Sequence, residues 1–131
     1  MFSLMLKLCL AGQPCKEIRV ADFYSAQASF MCSYNRDGMS EQAKLEKRAG
    51  TFECKSGLPV SQFASLAALK FEVCAPPTKI SAGECGTFPL ADFYGKESAA
   101  PMCAKNADYM RPSLETAARD TGTKIKIDCH S

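Results

Sequence analysis

The sequence predicts an α+β protein. It is read as two duplicated, disulfide-stabilised ββα(α)β units with small antiparallel sheets, related by a pseudo-twofold. Three observations predict it. The tetrapeptide Ala-Asp-Phe-Tyr occurs at residues 21–24 and again at 91–94. Each copy is followed by the same spaced pattern: Met31, Cys32, Asn35, Asp37 and Met39, then Met102, Cys103, Asn106, Asp108 and Met110. And the eight cysteines fall into two ordered sets of four. Cys9 matches Cys74, Cys15 matches Cys85, Cys32 matches Cys103 and Cys54 matches Cys129, with offsets that grow from 65 to 75 along the chain. Growing offsets are what duplication followed by loop insertion leaves, and a repeat defines the unit of folding. The units are residues 1–55 and 68–131, joined by a connector at 56–67.

The elements follow in order. Residues 3–10 form the first strand: Leu4, Leu6 and Leu8 alternate with polar or weakly apolar neighbours, as in a half-buried strand. Their counterparts Leu69, Phe71 and Val73 show the same period, with Glu72 in place of Lys7. This reading competes with a signal peptide. Lys7 interrupts the apolar run and no basic segment precedes it, so an export signal is not expected here. Gly12, Gln13 and Pro14 carry turn chemistry. Residues 16–21 form the second strand. Asp22 and Asp92 are then expected to cap helices, each carboxylate accepting from free backbone N–H groups. Helices follow at 23–33 and 40–49, the latter ended by Gly50. Residues 51–55 close the unit.

In the second unit the strands are expected at 69–75, 87–91 and 123–129. Gly95 and Pro101 weaken its first helix. The second helix runs over 112–121, starting at Pro112, with Met110, Leu114, Ala117 and Ala118 on one face. Within the connector, Ser61 to Leu69 is expected to add a short helix.

A unit of about 60 residues is marginal for burying a core, so covalent support is expected. The loop between Cys9 and Cys15 is shorter than that between Cys74 and Cys85, yet both ends persist. A bond clamping the hairpin tolerates such growth, because closure entropy rises slowly with length. This favours Cys9–Cys15, Cys74–Cys85, Cys32–Cys54 and Cys103–Cys129. Bonds between the first and third strands stay open as the alternative.

Composition narrows function by exclusion. The net charge is +2, and the stretches 1–70 and 71–131 carry +3 and −1. Neither has the basic excess that phosphate binding needs, so no nucleic-acid partner is expected. No apolar run is long enough to span a bilayer. There is no CxxC and only one histidine, His130, so a four-cysteine zinc site lacks the usual paired spacing and no metal or other cofactor is expected. Cys129-His130-Ser131 holds nucleophile and base types in a row, but neighbours on a strand point to opposite faces. Asp22 and Asp92 with their tyrosines form the other enzymatic candidate. Neither outweighs packing and capping roles, so no catalytic residue is expected and the protein is read as a non-enzyme. Tyr34, Arg36, Tyr109 and Arg111 lie near the joint between the helices in both units. They mark the expected partner surface, since Tyr and Arg are common interface anchors.

The order C-x5-C, a helix carrying Met-Cys, a glycine and a closing strand with cysteine resembles small uncharacterised four-cysteine proteins of bacteria and phages. The match rests on Cys9, Cys15, Cys32 and Cys54 and their second-unit partners, so the chain is similar to a tandem pair of them. The resemblance implies no activity. Disulfides point to an oxidising compartment without a visible export signal. Loss of a leader, reduced or metal-bound cysteines, or release by cell lysis would each reconcile the two. The expected role is a structural or interaction module with protein partners in a multimeric, extracellular assembly, such as an accessory protein on a virion surface. A secreted or periplasmic binding or inhibitor protein is the alternative.

Overall fold

The computed structural model describes residues 1–80 and 83–131. Among these there are six strands and two helices: β1 Phe2–Leu8, β2 Lys16–Phe23, α1 Ala28–Leu45, β3 Thr51–Ser56, β4 Ala67–Cys74, β5 Cys85–Phe93, α2 Ala99–Thr121 and β6 Lys124–His130. The strands form one antiparallel sheet in the order β3-β1-β2-β5-β4-β6. Each half of the sheet is a hairpin plus a third strand that returns beside the hairpin's first. The halves meet where β2 pairs with β5, with Asp22 opposite Asp92.

Leu4, Ala21, Phe23, Leu69, Ala91 and Phe93 are buried on one face of the sheet beneath the helices. Phe23 and Phe93 meet edge to face at its centre, 6.0 Å apart. Four disulfides fasten this frame: Cys9–Cys15 and Cys74–Cys85 at the hairpins, Cys32–Cys54 between α1 and β3, and Cys103–Cys129 between α2 and β6.

Both hairpins carry an irregularity at the same place. The register shifts between Leu4 and Met5 against β2, and between Leu69 and Lys70 against β5. The residues set out of register, Val20 and Leu90, turn their carbonyls to the opposite half. Val20 O accepts from the Tyr94 N–H (2.9 Å), and Leu90 O accepts from the Tyr24 N–H (3.0 Å). A bulge bends its strand and re-aims the groups beside it; here it extends the seam by one residue on each side.

Several expectations are corrected. Asp22 and Asp92 cap no helix. Both lie inside strands, and α1 begins six residues after Asp22, with Gln27 before it and no side-chain cap. Pairing between the halves holds Ala-Asp-Phe extended in both copies, a tertiary effect that overrides local capping preference. Each half has one long helix rather than two. Gly38 sits within α1, and an added methyl there would touch only Lys105. Pro101 falls in the first turn of α2, where no intrahelical N–H is required, while Pro112 lies inside the helix rather than at its start. Ala117 faces solvent, unlike Met110 and Ala118.

Gly50 ends no helix either. α1 stops when Lys47 turns left-handed (φ 54°), with the Arg48 N–H returning to Ala43 O at 2.8 Å. Gly122 does that work in α2 (φ 71°). Gly50 is required for another reason: at φ 113° any side chain would collide with Leu6. Finally, residues 57–66 contain no helix, because the Leu66 N–H donates to Phe93 O (2.9 Å) and draws the following residues into β4.

Candidate functional site

Two places concentrate chemistry. The first is the seam between β2 and β5, on the face opposite the helices. Side chains alternate across a strand, so if Phe23 points to the core, Asp22 and Tyr24 point away from it. The same holds for Asp92 and Tyr94. The Tyr94 hydroxyl donates to Asp22 Oδ2 (2.6 Å), and the Tyr24 hydroxyl donates to Asp92 Oδ2 (2.5 Å). Each tyrosine thus binds the carboxylate of the other half. Asp22 takes two further donors on Oδ1: the Ser3 hydroxyl at 2.5 Å and Arg19 Nε at 3.0 Å. Arg19 Nη2 also donates to Ser3 Oγ (3.0 Å) and to Pro59 O (2.8 Å), which ties the 57–66 strap across the cluster.

Like charges directly opposite on a sheet repel. Here the repulsion is offset by one guanidinium and by hydroxyls aimed at the oxygens. Among the described residues no buried side-chain nitrogen or oxygen lacks a partner. The tyrosines respond to this setting. Partial burial, and then the bond to Asp22, push the Tyr94 hydroxyl up to about 12. Partial burial and the bond to Asp92 raise Tyr24 further still. Both hydroxyls therefore stay protonated as donors. Asp22 is fully buried, and the strap lies over it. The two Asp22 carboxylate oxygens already accept three donors inside the protein. The arrangement is suited to fastening two sheet halves together.

The second place is the outer surface of the helix pair. Beneath it, the buried Asn35 and Asn106 exchange reciprocal amide bonds, each Nδ2 donating to the other's Oδ1 at 2.8 Å. Each also donates to the carbonyl four residues back in its own helix, Met31 and Met102, at 2.7 Å. Above this bridge, Tyr34 stacks on Tyr109 (4.3 Å between centroids), and Phe30 stacks beyond Tyr109 (6.2 Å). Lys105 Nζ stands 5.7 Å over the Tyr34 ring. The result is a column of three rings crossing both helices, with Phe30 56% and Tyr109 45% exposed. Beside it runs a groove of about 470 Å³, lined by Tyr34, Asp37, Gly38, Ser40, Glu41, Lys44 and Lys105.

Of the expected partner residues, the structure brings Tyr34 and Tyr109 into contact. Arg36 and Arg111 are instead engaged within their own helices, with Asp37 (3.0 Å) and Asp108 (2.7 Å). Phe30 and Lys105 were missed. A signal for Phe30 exists in its i, i+4 spacing to Tyr34, but only the packing of α1 on α2 reveals that Tyr109 comes between them. The Cys129–His130 pair cannot act as nucleophile and base, because the Cys129 sulfur is bonded to Cys103. The one cluster of potential metal ligands among the described residues, Glu72, Cys74 and Cys85, has both sulfurs joined to each other.

No family model, curated protein or solved structure matches the chain. Among the described residues no helix is long and apolar enough to cross a membrane.

Proposed function

We propose that the chain is a non-enzymatic interaction module that works outside the reducing cytosol, as an accessory or decoration protein on a virus particle or comparable extracellular assembly. The observation that carries this reading is the exposed column of Phe30, Tyr109 and Tyr34 on a frame cross-linked by four disulfides. Rigid aromatic groups give contact area at low entropic cost, and they are enriched at interfaces. The disulfides support an oxidising setting. The test is co-sedimentation of the chain with extracellular particles from its source. The wild type is expected to travel with the particles, and Phe30→Ser/Tyr109→Ser to stay behind while keeping its fold. A monomer that binds no particle, with or without the substitutions, would sink the idea.

A second reading, a secreted or periplasmic binding or inhibitor protein, is favoured by the groove beside the column. It would be preferred if Gly38→Trp, which fills the groove, abolished capture of a single purified target.

We also infer that both halves descend from one ββαβ unit. The ordered cysteines, the matched bulges and the reciprocal Asn and Asp–Tyr bonds support this. Residues 1–57 expressed alone are then expected to pair through β2, with Asp22 facing its copy. A stable folded monomer of that fragment would argue against common descent of the seam.

A further inference from the structure

We propose that reduction of the Cys74–Cys85 bond turns the mouth of the second hairpin into a site for a thiophilic divalent cation such as zinc, held by the two thiolates and the Glu72 carboxylate. Glu72 and Cys74 stand two apart on β4 and share a face. Cys85 lies directly opposite Cys74 in the ladder, with 3.9 Å between their Cα atoms. Glu72 Oε1 is 3.6 Å from Cys74 Sγ, and all three ligand atoms lie within 4.8 Å of one another.

These distances suit zinc. Tetrahedral zinc with bonds of ~2.3 Å to sulfur and ~2.0 Å to oxygen sets its ligands roughly 3.5 Å (O to S) and 3.8 Å (S to S) apart. The carboxylate already stands at that distance. Side-chain rotation alone has to separate the sulfurs once the bond is gone. The backbone around them does not depend on the bond: Glu72 pairs with Thr87, Val73 with Gly86, and beyond the cysteines the Ala75 N–H donates to Glu84 O (2.8 Å). Glu72 and Cys85 are exposed, so a cation can enter and water can fill the fourth position. Lys124 and Lys126 face Cys74 and Glu72 from β6; nearby cations favour the thiolate.

The step balances. A dithiol reductant gives two electrons and two protons to the bond and leaves as its own disulfide. The thiols of Cys74 and Cys85 that form then lose two protons to solvent as the cation binds.

The first hairpin is the internal control. Cys9 and Cys15 are paired in the same manner, but the residue two before Cys9 is Lys7, which offers no acceptor.

The test is cobalt(II) titration of the intact chain before and after native reduction with a phosphine, read by the thiolate-to-cobalt charge-transfer band. The reduced chain is expected to bind one cobalt per chain, and the oxidised chain none. Glu72→Lys, which copies the first hairpin, is expected to weaken binding at least tenfold, while Cys9→Ser/Cys15→Ser leaves it unchanged. No band in the reduced wild type would overturn the proposal, as would a loss of binding in Cys9→Ser/Cys15→Ser. A chain that unfolds on reduction, seen by circular dichroism, would bind cobalt at any of its cysteines. Glu72→Lys would then make no difference, and that outcome too rejects the site.

Discussion

Asp22 and Asp92 stand face to face in identical tetrapeptides, yet they keep different company. Asp22 accepts from Ser3, Arg19 and Tyr94. Among the described residues Asp92 accepts from Tyr24 alone. The positions that match Ser3 and Arg19 in the second half are Ala68 and Pro89. The helix surfaces differ in the same way. Phe30 and Tyr109 stack across one end of the helix pair, while Pro101 and Gly38, which match them by the repeat offset, line grooves at the other. The difference teaches that what the two halves share is what joins or braces them: the cross-bonded tyrosines, the paired asparagines and the disulfides. The groups around those joints differ from one half to the other.

The largest effects test the covalent part of this comparison. The two disulfides that anchor helices close longer loops than the two that clamp hairpins. Their sequence separations are 22 and 26 against 6 and 11. Loop-closure entropy gives about 3.5 kcal/mol for each long loop, and roughly 2.2 and 2.8 kcal/mol for the hairpins. Cys32 and Cys103 are also fully buried. Cys32→Ala/Cys54→Ala and Cys103→Ala/Cys129→Ala are therefore expected to lower the urea midpoint most, and by similar amounts. Cys9→Ala/Cys15→Ala should lower it least. If the hairpin bonds proved the costlier pair to lose, the halves would be held mainly at their tips and the comparison would break.

Next comes the asymmetry at the seam. Arg19→Met leaves a buried carboxylate without its only guanidinium. Removing one partner of a buried pair costs about 3 kcal/mol or more; the hydroxyls that remain on Asp22 place the expectation at ~3. Asp92→Asn, by contrast, keeps an acceptor for Tyr24 and is expected to change stability by less than ~1 kcal/mol, the usual net worth of one hydrogen bond. Equal losses in the two variants, measured by urea denaturation, would show that the two carboxylates are equivalent despite their surroundings.

These residues also show what was legible in advance. The observed cysteine pairs were favoured, though not singled out, by the unequal loops Cys9–Cys15 and Cys74–Cys85, because loop length is written in the sequence. The strands of both halves were readable from period-two alternation, with ends displaced by one or two residues. Asp22 was not. A carboxylate before an apparent helix reads as a cap, and nothing local says that Ala-Asp-Phe will pair with its own copy some seventy residues away. The single long helices were hidden by Gly38 and Pro112, whose breaking tendencies are outweighed by packing of Met31, Cys32, Met102 and Met110 into the shared core. The aromatic column was half legible. Tyr34 and Tyr109 lie near the expected helix joint of each half, but none of the three rings is matched in the other half: by the repeat offset Tyr34 corresponds to Lys105, Tyr109 to Gly38 and Phe30 to Pro101.

The smallest effect belongs to the tyrosines, because both are only partly buried and solvent screens them. Each is raised above the ordinary phenol value of 10, Tyr94 to about 12 and Tyr24 further. The sign follows from proton linkage. Between the unfolded and folded values the native state holds the protons that the unfolded chain has lost. The stability these hydroxyls contribute is thus complete below about pH 10 and declines as the pH rises through the folded values. The two should part in order. Burial raises both, and then each carboxylate bond does; the contact between the two hydroxyls raises Tyr24 and lowers Tyr94, so Tyr24 keeps its proton longer. Rapid pH-jump absorbance at 295 nm checks this. Tyr24→Phe is expected to remove the latest-titrating phase, and Tyr94→Phe an earlier one. If the two variants gave superimposable curves, burial and the contact between the hydroxyls would act on both alike, and the seam would be symmetric in its electrostatics as well as in its letters.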